Sequence, residues 1–307
     1  MRDHWRAVSF ERRLSSVRWL LIIAGGIGAG LILAFSVVGS GQFDTGSMGA
    51  GQDARAYWSA VRVFPYGPDA GTYGAYLYSP AFTQVLDPIL SLPWQQFLAG
   101  WTGLLMAMLL VLTGPVLFVV ALPLGFFEIW GGNIHLLLAL AIVLGFRWPG
   151  TWSFVLLTKV TPGIGLIWFA VRREWRSLAI ALGTTAAIVA VSWLIDPGLW
   201  RAWFDLLLRE AGGPPAPGSI QIPLLVRLPI AGLLAGYAGY TSRKWLLPVV
   251  ALIAMPVLWW GSLSVLIGCF LIERGRLERI VVEALAGIPS WWRARLARSR
   301  WAMEPES

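Results

Sequence analysis

Charged residues are scarce in this chain. Only 13% of its 307 residues are Asp, Glu, Lys or Arg, whereas a soluble globular domain carries roughly 25%. Hydrophobic residues make up 57% of the sequence, and 19 residues are Trp, a side chain that gathers at membrane–water interfaces. Water is therefore not the main solvent of this protein, and the sequence predicts an integral membrane protein.

Cysteine is almost absent as well. The single cysteine, Cys269, lies inside an apolar run, so the chain can build neither a disulfide framework nor a thiolate metal site. The sequence also contains no DxD-like pair of aspartates and no cluster of His and Asp residues. We therefore expect neither an obligatory metal ion nor another cofactor.

Basic residues outnumber acidic ones, 24 to 16. A basic chain can bind nucleic acid, but most of these residues form short clusters directly beside apolar runs instead of one basic surface. Such clusters are a signal of membrane topology. We expect no nucleic-acid partner, and we expect the basic tail, residues 274–307, to contact anionic membrane lipids.

Apolar runs recur along most of the chain and predict an all-α fold with about ten membrane segments, some of which cross only half of the bilayer. The runs are residues 17–38, 95–113, 115–127, 133–146, 149–159, 162–171, 177–195, 220–240, 245–258 and 262–273. The first run matches the ~20 apolar residues that a membrane helix needs. A cleaved signal peptide is the alternative, but its apolar region is usually only ~7–15 residues long.

Three segments between or after these runs are too polar to cross a membrane. Residues 39–92 predict a structured first extracytoplasmic loop, and residues 196–219 predict a second outer loop. Residues 274–307 form the basic cytoplasmic tail. The transmembrane domain is accordingly expected to span residues 1–273.

The basic clusters also indicate where two long apolar stretches break. Breaks at Thr161–Pro162 and at Trp259–Gly261 place the cluster at 172–176 and the tail on the cytoplasmic side, where Lys and Arg are enriched. The sequence then predicts a multi-pass protein of the plasma (inner) membrane with both termini in the cytoplasm. Half-depth helices need protein or a cavity around their free backbone groups, so we expect both breaks to face one cavity.

Four short passages occur in an order that is typical of one enzyme family. They are DARAYWSA at 53–60, YLYSP at 76–80 with LDP at 86–88, GGNIH at 131–135, and KVTP at 159–162 followed by RREWR at 172–176. Together they resemble glycosyltransferase family 87 of the GT-C superfamily. These are membrane enzymes that use sugars linked to polyprenyl phosphate.

The resemblance implies a transmembrane helical bundle of GT-C type that transfers a hexosyl unit. The expected donor is a polyprenyl-phosphate sugar, with mannose as the family's usual sugar, and the expected acceptor is a lipid or glycan outside the cytoplasm. The transfer is expected to invert the anomeric carbon.

In this superfamily an acidic residue of the first outer loop takes the proton of the acceptor hydroxyl, which is a poor nucleophile without a positioned base. By resemblance this residue is Asp53. Asp44, Asp69 and Asp87 lie in the same loop and are alternatives. A purely structural Asp53, paired for instance with Arg55, is the other interpretation.

The lipid phosphate that leaves needs a cation to stabilise its charge. Lys159 is the first candidate, because an ionisable residue in an apolar context indicates a functional site; snorkelling to the interface is its alternative role. Arg227 is a weaker second candidate. Asn133 and His135 could donate to sugar or phosphate oxygens, and Glu128 near them could hold a metal ion or pair with Lys159.

Aromatic residues supply faces on which a sugar or an isoprenoid chain could stack, although each is more often an interface residue. These candidates are Tyr57, Trp58, Tyr76, Tyr78 and Trp260. Arg55 completes the set of expected donor contacts.

Two other functions fit the same sequence. A polytopic transporter or lipid flippase is the main alternative, since broken helices and buried cations also mark transport pathways. A non-catalytic scaffold of the cell envelope is the third.

Overall fold

The computed structural model describes residues 51–68, 75–210 and 219–286. Every regular element in these residues is helical, and none of them forms a strand. The α-helices are α1 (Gln52–Ser59), α2 (Pro80–Leu90), α3 (Trp94–Gly131), α4 (His135–Leu144), α5 (Trp152–Thr158), α6 (Ile167–Val171), α7 (Trp175–Ile195), α8 (Pro197–Glu210), α9 (Leu224–Thr241), α10 (Leu246–Ile253), α11 (Gly268–Ile272) and α12 (Arg274–Ala286). Short 3₁₀ helices, Pro149–Thr151, Thr161–Leu166 and Trp260–Ile267, precede α5, α6 and α11.

The all-helical fold class is confirmed for the described residues. Three of their helices, α3, α7 and α9, are long and apolar enough to cross a membrane. The segments 135–144, 161–171 and 260–272 are apolar but shorter. The number of crossings and the orientation of the termini stay predictions, and the predicted first span, residues 17–38, lies outside the described residues together with Asp44 and Asp69.

The 38-residue α3 contains a break at Gly114. Its backbone has φ 65° and ψ 173°, a non-helical conformation, and Pro115 follows it. This is the residue that separates the two apolar runs 95–113 and 115–127. The side chain of Arg274 packs here, since a Cβ added at Gly114 would lie 3.2 Å from Arg274 Cζ.

The break predicted near Thr161 is confirmed. Helix α5 ends at Thr158, Lys159 is extended, and a 3₁₀ helix begins at Thr161. The Thr161 hydroxyl donates a hydrogen bond to the carbonyl of Ala254, 2.5 Å away. Because Ala254 directly follows α10, this bond joins the two broken regions of the chain.

The second break, predicted at Trp259–Gly261, is also present, but it begins several residues earlier. Helix α10 ends at Ile253 and helical structure resumes at Trp260, so the break covers residues 254–259. It contains Pro256, which cannot donate a backbone hydrogen bond. The guanidinium of Arg227 accounts for the early end of α10, because it donates to the carbonyls of Ile253, Met255 and Pro256 at 2.7, 2.8 and 3.3 Å.

Residues of the first loop pack directly on the apolar helices. The backbone N–H of Gly51 donates to the Trp130 carbonyl at 2.6 Å, at the last turn of α3. The indole N–H of Trp101 donates to the Gly132 carbonyl at 2.7 Å. The first bond holds the start of α1 against the end of α3, and the second fixes the α3–α4 connection on α3 itself. The candidate active site lies where α1 meets this connection.

Candidate active site

Asp53 lies in the first turn of α1 and points towards the α3–α4 connection. Its Oδ2 accepts a hydrogen bond of 2.9 Å from Asn133 Nδ2. The residue opposite is Gly131, where an added Cβ would lie 3.2 Å from the same oxygen. Among the described residues nothing donates to Oδ1. Asp53 therefore sits deep in the molecule with one oxygen held and part of its surface still accessible.

Gly132 allows α1 to approach this closely. Its φ of 73° is in the left-handed region that favours glycine, and it ends α3. A Cβ at this position would lie only 2.7 Å from the Cβ of Ala54. Both the backbone conformation and the space beside Asp53 therefore require glycine here.

Asn133 connects Asp53 to a pair of buried tyrosines. Its Oδ1 accepts from the backbone N–H of Ile134 at 2.7 Å and from the Tyr78 hydroxyl at 3.4 Å. The Tyr78 hydroxyl also lies 3.0 Å from the Tyr57 hydroxyl. With Oδ1 occupied as an acceptor, the amide group of Asn133 must present Nδ2 to Asp53.

Lys159 lies close to the ring of Tyr78. Its Nζ lies 5.2 Å from the centroid of the Tyr78 ring, within the range of a cation–π contact. Among the described residues no carboxylate comes within 4.0 Å of it. The ammonium therefore keeps its capacity to bind an anion.

Burial and the Lys159 charge act on Asp53 in opposite directions. Burial raises the pKa of the Asp53 carboxyl, because a low-dielectric surrounding disfavours the charged form. The positive charge of Lys159 and the hydrogen bond from Asn133 lower this pKa, and the charge of Glu128 raises it. The net direction is upward from the usual value of about 3.9.

Glu128 and His135 form a second, fully buried pair beside this site. His135 Nδ1 lies 2.8 Å from Glu128 Oε2. The Glu128 carboxylate also accepts from the backbone N–H groups of His135 and Leu136. From its sequence, Glu128 was predicted only as a possible metal ligand or partner of Lys159, and its role in shaping this connection was missed. The available signal was an acidic residue in a long apolar run.

Most of the predicted site residues come together in the structure. Asp53, Asn133 and Lys159 each interact with Tyr78, His135 interacts electrostatically with Asp53, and Tyr76 packs edge-on against Tyr57 and Tyr78. The Tyr76 hydroxyl is occupied by Thr83, whose hydroxyl donates to it at 2.5 Å. Asp87, a rival base, lies exposed on α2.

Three predicted donor contacts lie elsewhere. The guanidinium of Arg55 packs over the rings of Trp58 and Trp94, 4.6 and 5.0 Å from their centroids, and does not pair with Asp53. Arg227 is committed to backbone carbonyls at the second break. Trp260 is 63% exposed at the start of a 3₁₀ helix. The binding roles of these three residues stay predictions.

No group of three or more His, Cys, Asp or Glu side chains with the spacing of a metal site occurs among the described residues. The charged groups of the site are instead the Asp53 carboxylate and the Lys159 ammonium, neither of which forms an ion pair within 4.0 Å, and the Glu128–His135 pair. This arrangement suits proton transfer from a hydroxyl and binding of an anion.

The model of glycosyltransferase family 87 matches residues 76–279, about two thirds of the chain. The chain belongs to glycosyltransferase family 87. Comparisons with curated proteins and with solved structures found no match. With its apolar helices, the protein is thus a membrane glycosyltransferase with a sugar donor and an acceptor as substrates. The matched range includes Tyr78, Asn133, His135 and Lys159, whereas Asp53 precedes it.

The Gly132→Ala substitution tests the close contact between α1 and the α3–α4 connection. A positive φ and a 2.7 Å contact with Ala54 should together lower stability by about 1–2 kcal/mol or more and displace Asp53. Thermal unfolding of the purified protein measures this change. Gly100→Ala is the matched control, because an added Cβ there meets nothing within 4 Å; equal melting temperatures for both variants would contradict the contact.

Proposed function

We propose that this family 87 enzyme transfers a hexosyl unit from a polyprenyl-phosphate donor to a lipid or glycan acceptor, with Asp53 as general base. The reaction inverts the anomeric carbon and takes place on the extracytoplasmic side. The observation that carries the proposal is the placement of Asp53 and Lys159 around Tyr78, with a free carboxylate oxygen and an unpaired ammonium. Mannose is the sugar expected from the family.

Asp53 has the features that a general base needs. A hydroxyl becomes a good nucleophile when a positioned carboxylate accepts its proton in the transition state. Asn133 holds Oδ2 at 2.9 Å, so Oδ1 is the oxygen available to the acceptor. The raised pKa of Asp53 also strengthens it as a base, because a carboxylate with a pKa closer to the working pH takes up a proton more readily.

Lys159 supplies the electrostatic part of the reaction. When the sugar leaves its lipid carrier, negative charge develops on the phosphate oxygens, and a preorganised cation in a site that excludes water stabilises this charge. Lys159 is the described cation closest to this role, since it faces Tyr78 and interacts with Asp53. Asn133 and His135 are proposed to contact the sugar or the phosphate.

An apolar groove beside the site supports a lipid-linked donor. It lies between α2 and α7 and has a volume of about 390 Å³. Its walls are formed by Ala81, Gln84, Val85, Ala187, Ile188, Val191, Ser192 and Ile195. Ala81 is three residues from Tyr78 in sequence, at the first turn of α2. The isoprenoid chain of a donor whose phosphate binds Lys159 is proposed to lie in this groove.

The distribution of charge supports the orientation. The Arg-rich clusters at the start of the chain, at 172–176 and after 273 fall on one side when both helix breaks are included. We therefore propose that both termini lie in the cytoplasm and that the loop with Asp53 lies outside. The plasma (inner) membrane is the proposed location, with membrane lipids around the bundle.

The Asp53→Asn substitution tests the general base. Asparagine keeps the shape and can still accept from Asn133, but it cannot take a proton, so the transfer rate should fall by about 10²–10⁴-fold. The assay incubates the protein in proteoliposomes with several polyprenyl-phosphate sugars and a membrane lipid extract, and mass spectrometry identifies the product.

Asp87→Asn is the matched control for this experiment, because it removes an exposed carboxylate from α2. It should leave the rate unchanged. Full activity of the Asp53 variant would overturn the assignment. Movement of a solute or lipid by the wild type without any product would favour the transporter or flippase.

Activity should depend on pH through Asp53. The unprotonated carboxylate is the active form, so the rate should fall as the pH drops through the Asp53 pKa, which lies above the usual value. Removing the positive charge in Lys159→Met should raise this pKa further and move the acid limb of the rate profile to higher pH. It should also slow transfer by about 10²–10³-fold, since the phosphate loses its cation. Lys159→Arg keeps the positive charge and is the control. An equal shift of the acid limb in Lys159→Met and Lys159→Arg would show that the charge of Lys159 does not cause the shift.

The groove is tested with donors of different chain length. Val191→Trp fills the groove and should raise KM about tenfold for a long polyprenyl donor while leaving a donor with a very short isoprenoid chain unaffected. Leu194→Trp is the control, because Leu194 is 82% exposed on the same helix and does not line the groove. The same loss with both donors would exclude the groove as the site of the lipid chain.

A further inference from the structure

Glu128 is the most heavily used acceptor at the candidate site. Its side chain is 0% exposed and lies in the last turn of α3. The carboxylate accepts from the backbone N–H groups of His135 and Leu136, at the start of α4, and from His135 Nδ1. A negative charge in this position also interacts favourably with the N-terminal end of the helix dipole.

The backbone of Glu128 shapes the same connection. Its carbonyl accepts from the N–H groups of Gly132 and Asn133 at 2.8 and 3.2 Å. Through its backbone and its side chain, this one residue therefore receives hydrogen bonds from four of the five residues between 132 and 136. The conformation of the connection, and with it the position of Asn133, depends on these bonds.

Asn133 transmits this arrangement to Asp53. The N–H of Ile134 holds Asn133 Oδ1 at 2.7 Å, and Nδ2 then donates to Asp53 Oδ2 at 2.9 Å. A shift of the connection would release Asp53 and free both of its oxygens. Glu128 therefore determines, through Asn133, that Oδ1 is the Asp53 oxygen available to the acceptor.

The same carboxylate also selects the form of the His135 ring. Nδ1 lies 2.8 Å from Glu128 Oε2, so Nδ1 carries the proton. His135 Nε2 is buried and has no hydrogen-bond partner among the described residues. A neutral ring with its proton on Nδ1 leaves a lone pair at Nε2 and avoids a buried N–H without an acceptor, which would cost more.

Glu128 also interacts electrostatically with the rest of the site. Its charge acts on Asp53, Lys159, Tyr57 and Tyr78, and His135 is its direct partner. Of the other elements that pack on α3, the 3₁₀ helix Trp260–Ile267 and α11 carry Cys269 as their one titratable side chain. Helix α12 carries Arg274, Arg276, Glu278 and Arg279, and Arg274 packs at Gly114. The negative charge of Glu128 raises the pKa of Asp53.

We propose that Glu128 is a positioning residue of the transfer reaction: it holds Asn133 so that Asp53 presents Oδ1, and it selects the His135 tautomer with the proton on Nδ1 and a lone pair on Nε2. Glu128 touches no substrate in this role. The proposal rests on the transfer reaction proposed above, and its two consequences can be measured separately.

Kinetics of Glu128→Gln test the effect on Asp53. Glutamine can still accept from the backbone of α4 but has lost the charge. We expect kcat to fall about tenfold with an unchanged KM for the donor, and the acid limb of the pH profile to move to lower pH, because a negative neighbour of Asp53 is gone. A purely structural role would lower the melting temperature without moving the pH profile.

Two further variants complete the kinetic test. In the double variant Glu128→Gln/Asn133→Ala, the loss should not exceed that of Asn133→Ala alone, because both residues act through the same contact with Asp53; multiplicative losses would overturn the proposal. Glu174→Gln is the matched control. It removes a half-exposed carboxylate that pairs with Arg172 at 2.6 Å, far from the site, and should leave the pH profile unchanged.

The form of the His135 ring is measured without any activity. The chain has only two histidines, so the His4→Gln variant with ¹⁵N-labelled histidine gives a single pair of ring nitrogen signals. We expect a protonated Nδ1 and an unprotonated Nε2, and a change to protonated Nε2 when Glu128→Gln is added. A protonated Nε2 in the otherwise wild-type protein would overturn the proposal.

The two tests distinguish failure of this inference from failure of the proposed function. If no polyprenyl-phosphate sugar yields a product, the transfer reaction is wrong, whatever the ring signals show. If wild-type transfer is normal, Asp53→Asn abolishes it and Glu128→Gln leaves both kcat and the pH profile unchanged, the transfer reaction stands and the role of Glu128 is wrong. A poorly folding Glu128→Gln variant still leaves the wild-type ring signals as a decisive measurement.

Discussion

The contact between α1 and the end of α3 is the constraint on which the site depends. Two consecutive glycines, Gly131 and Gly132, leave the space into which Asp53 and Ala54 fit, and an added Cβ would lie 3.2 Å from the carboxylate in one case and 2.7 Å from Ala54 in the other. Only this approach lets Asn133 donate to Asp53. A polar loop and an apolar bundle thereby share one set of hydrogen bonds.

Burial explains why the polar groups of the bundle gather here. An unpaired polar group costs far more in a low-dielectric surrounding than in water, and charges interact more strongly there. Glu128 and His135 bond to each other, and the opposite charges of Asp53 and Lys159 attract each other. The Asp53 carboxylate and the Lys159 ammonium have no charged partner in contact. A reacting hydroxyl requires such a carboxylate, and a phosphate requires such an ammonium.

The breaks in the helices also leave backbone polar groups without a partner in a low-dielectric surrounding. Carbonyls at the end of α10 and in the break after it lack a partner within a helix, and Arg227 donates to three of them, those of Ile253, Met255 and Pro256. Thr161 then connects this break to the one after α5. The guanidinium has five N–H donors in a rigid planar arrangement, so it can bond to several carbonyls at once. Arg227, which was predicted to bind phosphate, satisfies backbone carbonyls instead.

The choice of Asp53 came from the resemblance to the family, and that of Lys159 from its position in an apolar run. Local features of the sequence were sufficient for the helical class, the break at Gly114 and the break near Thr161. Apolar periodicity, glycine and proline act on the residues next to them, so these features can be predicted without knowing the fold. The roles of Arg227 and Glu128 and the end of α10 at Ile253 were decided by the tertiary structure. Each depends on which donor from a distant part of the sequence lies within hydrogen-bond distance of a given acceptor. Only the packing of the whole chain determines this.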